Sequence, residues 1–456
     1  MIHVLTLSLF LAQIPAAPAP SPPSPPSPAG EVLAALTDAR RLPAEQCRQT
    51  RYLTMYAVPA ERRAEFVKVL AFHCNSLSRE AELIAPRRIT ATLYAVELDN
   101  YGWAGTTYGP LATIDPWFHA KATDGKTETL IHAPWLPVAA IAELATLTGS
   151  VVPILRADWF IAKTGEQRSY YDFLSLKTQT DAEKLAGLDR AAAIRIRKEL
   201  AAIVTDSAVT LNNRQIFRFG SVGGAWWETR DVESSTERKN AVRNLDGDYK
   251  PDAHEIYFSL PNGLFGFALT DSAGKLIDTA PDKIASDGAS TSTDRRVRVG
   301  ISCIRCHAEG LRPIDDWSRK VFRVGNETAL GSPDREKARR LKQLYLGPLQ
   351  KALVDDRARY AESLKGLTGW TPEAASKAYA AAWAAYESGT LLPADVAREL
   401  GCTEAELLGA LRGQLKGSGL TDLAMAGLLS DPPVPMIRAH LEEFAPVLMS
   451  MVQKGK

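Results

Sequence analysis

The chain lacks a clear excess of either charge. Lys and Arg together number 54 and Asp and Glu number 53, so the formal net charge is +1 over 456 residues. Domains that bind nucleic acid usually present a strongly basic surface. The charge balance therefore predicts no nucleic-acid partner.

Long hydrophobic runs are also rare. After the N-terminus no apolar run approaches the about 18 residues that a membrane-spanning helix requires, so no integral membrane domain is predicted. Residues 4–12, VLTLSLFLA, have the length of a signal-peptide core, and small residues follow them. This segment predicts export to the periplasm or secretion. A disordered leader and an uncut apolar anchor are the alternatives.

Proline is concentrated in the stretch that comes next. Residues 21–28 have the sequence SPPSPPSP. Repeated proline restricts the backbone and removes hydrogen-bond donors, which is typical of an extended, semi-rigid linker. Residues 1–30 are therefore interpreted as a signal peptide and a linker, and folded structure is expected from about residue 31.

Cysteine and histidine are scarce, with five and seven residues, respectively. This number of cysteines excludes a disulfide-rich scaffold, and a chain of this length can bury a core without one. Two cysteines and one histidine nevertheless fall within five positions of ISCIRCHAEG: Cys303, Cys306 and His307. Chance would produce this Cys-x-x-Cys-His pattern in roughly one such chain in a thousand.

Cys-x-x-Cys-His is the attachment pattern of c-type haem. Each thiol adds to one haem vinyl group, and the adjacent imidazole binds the iron. Structural zinc needs four ligands, and the remaining cysteines, Cys47, Cys74 and Cys402, form no second pair. A redox dithiol would fit a thioredoxin-like setting, but the histidine and the missing βαβ pattern favour haem. Zinc and redox thiols stay as the alternatives.

The motif resembles that of c-type cytochromes through residues 303–307, CIRCH. A wider likeness covers residues 255–287, EIYFSLPNGLFGFALTDSAGKLIDTAPDKIASD, and residues 300–310. This stretch is similar to an uncharacterised group of bacterial secreted proteins with a cytochrome c-like domain. The resemblance implies one covalent haem c, with Cys303 and Cys306 as thioether attachment points and His307 as the proximal ligand. It also implies a redox partner protein.

The pattern after residue 30 predicts an α+β protein with three parts. Residues 31–150 are predicted to form an N-terminal α+β domain. Residues 151–300 form a mixed domain that ends in a β-meander, since two apolar runs within 254–278 flank a Pro-Asn-Gly turn. Within it, helix is expected through 181–203. Residues 301–456 form a mainly helical, cytochrome c-like domain that bears the haem.

The sixth iron ligand separates the possible functions. A filled position suits one-electron transfer, which is the leading hypothesis, and an open one suits a peroxidase-like enzyme or a gas-binding module. Met436 in DPPVPMIRAH is the candidate ligand, because prolines would hold the loop that presents it; a packing role is its alternative. His254 is a second candidate. A peroxidase also needs an acid/base group and a cation, for which Glu255, Arg295, Arg296 and Arg298 lie nearby in sequence.

Two further features bear on the site. Cys47 and Cys74 could form a disulfide in an oxidising compartment. Trp103, Trp226 and Trp227 could line a haem pocket or relay electrons, although core packing is the ordinary role of such residues. The roughly 270 residues before the motif exceed what a simple electron carrier needs, and they favour a partner or substrate role.

Overall fold

The computed structural model describes residues 27–196, 198–205, 210, 212–234, 236, 239–245, 249–287, 295–324, 335–415 and 425–455. The predicted export segment at 4–12 and most of the proline-rich linker lie outside the described residues. The first described helix begins at Pro28, where the Ser27 hydroxyl accepts from the Gly30 amide at 3.2 Å. This helix therefore begins close to residue 31, where the sequence predicts folded structure.

Helices precede, separate and follow the strands along the chain. The α-helices are Pro28–Ala39, Ala44–Gln49, Arg63–Ser76, Gly105–Tyr108, Val138–Thr148, Ala157–Thr164, Gln167–Phe173, Gln179–Leu185, Arg190–Arg195, Ile301–His307, Ser318–Val324, Arg335–Tyr345, Leu349–Thr368, Pro372–Glu387, Pro393–Leu400, Glu404–Gln414 and Arg438–Lys454. Short 3-10 helices occupy Ala60–Arg62, Leu98–Tyr101, Gly109–Thr113 and Gly427–Leu429. No helix in the described part of the chain is both long and apolar enough to span a bilayer.

In the described part of the chain, the strands form two larger sheets and two short ladders. In chain order they are β1 Thr50–Thr54, β2 Arg87–Arg88, β3 Leu93–Glu97, β4 His119–Thr123, β5 Glu128–His132, β6 Ile154–Arg156, β7 Glu199–Val204, β8 Arg214–Ser221, β9 Gly224–Arg230, β10 Ala253–Ser259, β11 Phe265–Asp271, β12 Thr390–Leu391 and β13 Met436–Ile437. The larger sheets have the orders β2-β3-β1-β6 and β11-β10-β9-β8-β7. The α+β class is confirmed.

The first sheet crosses the predicted domain boundary at residues 150 and 151. Strand β1 pairs in parallel with β6, so that Tyr52 lies opposite Ile154, and it pairs antiparallel with β3. A parallel neighbour needs a long crossover connection, which the chain between β1 and β6 provides. Residues on both sides of the predicted boundary therefore build one sheet.

The second sheet is the predicted β-meander. Its five strands follow one another in chain order, and every pair is antiparallel. The hairpin at Pro261-Asn262-Gly263 is confirmed, since Ser259 pairs with Phe265 and the Gly263 amide bonds to the Leu260 carbonyl at 2.9 Å. Local turn chemistry was sufficient to predict it.

The prediction of helix through residues 181–203 is wrong at its C-terminal end. Helix ends at Arg195, and residues 199–204 form strand β7, which pairs with β8 from Glu199–Phe219 to Val204–Arg214. Residues 201–204 are buried. Alanine and leucine favour helix in isolation, but ladder hydrogen bonds and burial outweigh that small preference.

Helices dominate the chain after the motif, as predicted. The start signal at Thr371 is confirmed, because its hydroxyl accepts from the Ala374 amide at 3.3 Å and Pro372 opens the helix. The face bearing Tyr379, Trp383 and Tyr386 is buried. One hydrophobic core extends from Val32 to Val452, so these helices pack on the same core as the sheets.

A buried ionic cluster joins the first sheet to the C-terminal helices. Arg156 lies 2.6 Å from Asp158, and Arg438 lies 2.8 Å from the same carboxylate. Glu399 pairs with both arginines. All four side chains are at most 10% exposed, so the two positive and two negative charges balance one another away from water.

Candidate functional site

The motif lies on the short helix Ile301–His307, hereafter the motif helix. Gly300 precedes it with φ +82°, a conformation that suits glycine. A Cβ at this position would lie 2.5 Å from the Gly165 carbonyl oxygen and 2.8 Å from the Tyr170 ring. After the helix, the Tyr360 hydroxyl donates to the Ala308 carbonyl at 2.8 Å. Close contacts therefore hold both ends of the motif helix.

Cys303, Cys306 and His307 all line one cavity of about 580 Å³. Residues three apart on a helix share a face, which directs both thiols to the same side. Cys303 is 2% exposed, whereas Cys306 and His307 are half-buried. The structure thus brings together the three residues that the sequence motif predicted.

The opposite wall of the cavity is one face of the second sheet. Cross-strand partners share a face of a sheet, and both members of three such pairs line the cavity: Val204–Arg214, Ile216–Thr229 and Glu255–Leu269. Tyr257 and its partner Trp227 extend the same wall toward the motif helix. Most of the wall is apolar, with polar groups concentrated near Arg214.

Both ring nitrogens of His307 have neighbours. Nδ1 lies 3.3 Å from the Gly310 carbonyl oxygen, and Nε2 lies 2.9 Å from the Tyr257 hydroxyl. A carbonyl oxygen only accepts, so Nδ1 carries the proton and Nε2 presents its lone pair. Burial, with a smaller effect of Arg312, lowers the pKa of His307 to about 4. The imidazole is therefore neutral at pH 7, the form that binds metals.

The electrostatics of the two thiols do not favour nucleophilic chemistry. Burial is the largest cause that raises the pKa of Cys303 and of Cys306, and Glu255 and Asp287, respectively, add to it. Reactive dithiols need the opposite shift, because the thiolate is the attacking species. Among the described residues, no group of three or more His, Cys, Asp or Glu side chains is arranged to hold a metal ion. Neither the redox-thiol nor the zinc alternative gains support.

A charged cluster occupies one end of the sheet wall. Arg214 Nε lies 3.0 Å from Asp231 Oδ1, and Arg214 Nη1 lies 3.9 Å from Glu255 Oε2. Thr229 donates to Asp231 at 2.5 Å. Burial raises the pKa of Asp231, and Arg214 partly opposes that shift. Protonatable groups and a cation therefore border the same cavity as the motif.

Sequence reasoning found only part of this cluster. Glu255 was singled out, and it lines the cavity, but Arg295, Arg296 and Arg298 are not among the lining residues. Arg214 and Asp231 were missed because they lie more than 70 positions before the motif. The alternation of side chains along β8 and β9 could have indicated both residues. Arg214 shares a sheet face with Ile216, and Asp231 shares one with Thr229.

The structure does not bring Met436 to the cavity. Met436 lies in β13 opposite Leu391 and is 5% exposed. The proline-containing loop before it leads the chain into this ladder, next to the helix Arg438–Lys454. Its side chain belongs to the hydrophobic core, which agrees with the packing role that was the alternative.

His254 borders the cavity, but its ring is directed elsewhere. Alternation along β10 places it on the sheet face opposite to Glu255 and Tyr257. Its Nδ1 lies 3.7 Å from Glu228 Oε1. A role as an iron ligand would require the ring to leave that carboxylate.

The two tryptophans of β9 have different roles. Trp227 lines the cavity and donates its indole N–H to Asp356 at 2.9 Å, while Trp226 stacks on Phe258 with ring centroids 5.7 Å apart. The predicted pocket-lining role therefore applies to Trp227. Cys47 and Cys74 are separate buried thiols and are not joined in a disulfide.

Comparisons with known proteins identify no relative. Protein-family models, curated proteins and solved structures return no match to this chain. The interpretation of the site consequently depends on its geometry and on the motif.

The residues present fit a covalently attached haem. The donor set consists of two thiols and one neutral imidazole on a single helix, all facing one cavity. The cavity volume lies within the range of about 300–1,000 Å³ that is usual for small-molecule and cofactor sites. The bond from His307 Nδ1 to the Gly310 carbonyl is the kind of support that orients metal-binding imidazoles.

Proposed function

We propose that the protein carries one haem c on the motif helix and transfers single electrons outside the cytoplasm. The observation that carries this proposal is that Cys303, Cys306 and His307 line one cavity of cofactor size. The raised pKa values of both cysteines disfavour a function as reactive thiolates.

Each residue of the motif has a defined part in this proposal. Cys303 and Cys306 would form the two thioether bonds, and His307 would bind the iron through Nε2. A bound haem supplies an iron that changes its oxidation state by one electron. The apolar wall at Ile216, Trp227 and Leu269 would exclude water from that group.

A haem enzyme of the peroxidase type, or a gas-binding module, is the second candidate. The observation that favours it is the charged cluster of Arg214, Asp231 and Glu255 on the cavity wall. A carboxyl group that can hold a proton, next to a guanidinium, is the arrangement that acid–base catalysis on a bound oxygen species requires.

Export and a redox partner belong to the same proposal. The apolar segment at 4–12 supports export, and covalent attachment of haem by the Cys-x-x-Cys-His pattern fits an extracytoplasmic location. Fractionation of cells that express the full chain tests this part. Recovery of the protein from the cytoplasm, with the apolar segment at 4–12 still attached, would contradict it.

The decisive experiment is coexpression with haem-attachment machinery, followed by denaturing electrophoresis and haem staining. The full-length protein should retain haem after denaturation, and a C303A/C306A variant should not. C402A is the matched control, because it removes a cysteine outside the cavity. A protein that never retains haem would contradict the proposal.

A reduced absorption spectrum with and without carbon monoxide then separates the two candidates. A spectrum that carbon monoxide leaves unchanged means a filled sixth position and supports electron transfer. A shift means an open or displaceable position, and peroxide turnover and gas binding become the next measurements.

A further inference from the structure

We propose that Tyr257 is a positioning residue for His307: its hydroxyl satisfies Nε2 before haem is attached and turns to Glu255 when a metal takes that nitrogen. This inference rests on the proposed function. It concerns residues of the sheet wall, which the motif itself does not include.

The first observation is the direction of the contact. The Tyr257 hydroxyl lies 2.9 Å from His307 Nε2, and Nδ1 faces the Gly310 carbonyl. Since Nδ1 carries the proton, Nε2 accepts, and the hydroxyl donates. The hydroxyl therefore occupies the position toward which Nε2 would bind a metal.

The second observation is that Tyr257 has another acceptor. Glu255 lies two residues away on the same face of β10 and lines the same cavity, which makes its carboxylate the nearest acidic acceptor on that strand. A tyrosine has one hydroxyl proton, so it donates fully to one acceptor at a time. When Nε2 is occupied, Glu255 keeps the buried hydroxyl from losing its partner, which would otherwise be costly.

The third observation is rigidity. Strand β10 is paired on both sides, with Tyr257 opposite Trp227 on β9 and opposite Phe267 on β11. The Tyr257 ring packs edge-on against Phe267 at 5.5 Å and against His307 at 4.5 Å. A hydrogen-bond donor on a central strand holds the imidazole in one orientation more precisely than a donor on a loop would.

The contact can be tested without haem. Nitrogen-15 NMR of histidine-labelled protein lacking haem should show His307 with its proton on Nδ1 and with Nε2 as a hydrogen-bond acceptor. In Y257F the Nε2 resonance should move to higher chemical shift, as an acceptor nitrogen does when it loses its donor. Y101F is the matched control, because it removes a buried hydroxyl that bonds to the Ile84 carbonyl, away from the cavity and the motif helix.

The positioning role is tested by haem loading. Y257F should retain several-fold less covalent haem than Y101F at equal expression and equal folded content by circular dichroism. E255A should leave the Nε2 resonance of the haem-free protein unchanged and still lower haem retention, since only the loaded state uses Glu255.

Three outcomes overturn the inference. An unchanged Nε2 resonance in Y257F would show that the hydroxyl does not donate to His307. Equal haem retention in Y257F and Y101F would remove the positioning role, and so would normal loading of E255A. Failure of the wild-type chain to take up haem would count against the proposed function. The resonance measurement needs no haem, so it tests the Tyr257–His307 contact independently of that function.

Discussion

Replacing Glu399 by Gln should strongly destabilise the protein. The carboxylate is fully buried and pairs with Arg156 and Arg438, while Asp158 supplies the other negative charge. Removal of one partner from a buried ionic cluster leaves an unpaired charge away from water, which typically costs about 3–5 kcal/mol. E399Q keeps the shape of the side chain, so this cost reflects charge and not packing.

The double variant E399Q/R438Q tests the reasoning more sharply. It removes one charge of each sign, and the remaining pair, Arg156 and Asp158, stays neutral overall. Its loss of stability should be smaller than the sum of the two single losses by roughly 1–3 kcal/mol, because residues in one network couple. Without such coupling, the losses would simply add.

The assay is urea unfolding followed by circular dichroism and tryptophan fluorescence at pH 7. E143Q is the control, since Glu143 forms an exposed pair with Arg40, and its midpoint should hardly change. If E399Q lost less than about 1 kcal/mol of unfolding free energy, the reasoning that its removal leaves an uncompensated buried charge would be refuted. Additive single losses would refute the coupling.

Three other predictions follow from individual residues. His73 is buried, and burial lowers its pKa from 6.5 to about 3. Because the unfolded chain binds more protons between these pH values, the free energy of unfolding should fall by up to about 5 kcal/mol as the pH drops from 6.5 to 3. H73F should lose less stability over the same pH range. G300A should lose about 1–3 kcal/mol of unfolding free energy from backbone strain alone, and it should also retain less haem. Unfolding measurements and haem staining would test the two effects. Wild-type values in both would contradict the proposed role of Gly300. M436L should leave the reduced spectrum of the haem-loaded protein unchanged, because Met436 packs away from the cavity; loss of a low-spin spectrum would instead restore it as the sixth ligand.

Much of the candidate site could be predicted because its signal is local. Cys303, Cys306 and His307 lie within five positions, and helical spacing alone directs the two thiols to one side. The hairpin at Asn262 and the helix start at Thr371 were likewise predictable, since turn and cap chemistry act over three or four residues.

The parts that could not be predicted depend on residues distant in the chain. Residues 199–204 favour helix by composition and become a strand only because β8 lies beside them. Met436 has the type of side chain that can bind haem iron, yet pairing with Leu391 keeps it in the core. Local pattern carries no information on either partner.

The sequence by itself determined the α+β class, the β-meander and the Cys-x-x-Cys-His motif, because periodicity, turn residues and motif spacing depend on residues that are close together in the chain. Only the tertiary structure decided what surrounds the motif. It set Arg214, Asp231 and Tyr257 on the wall facing His307, and it joined Arg156 to Glu399 across more than 240 positions. The physical reason is that a cavity wall and a buried charge cluster exist only once separate strands and helices pack against one another.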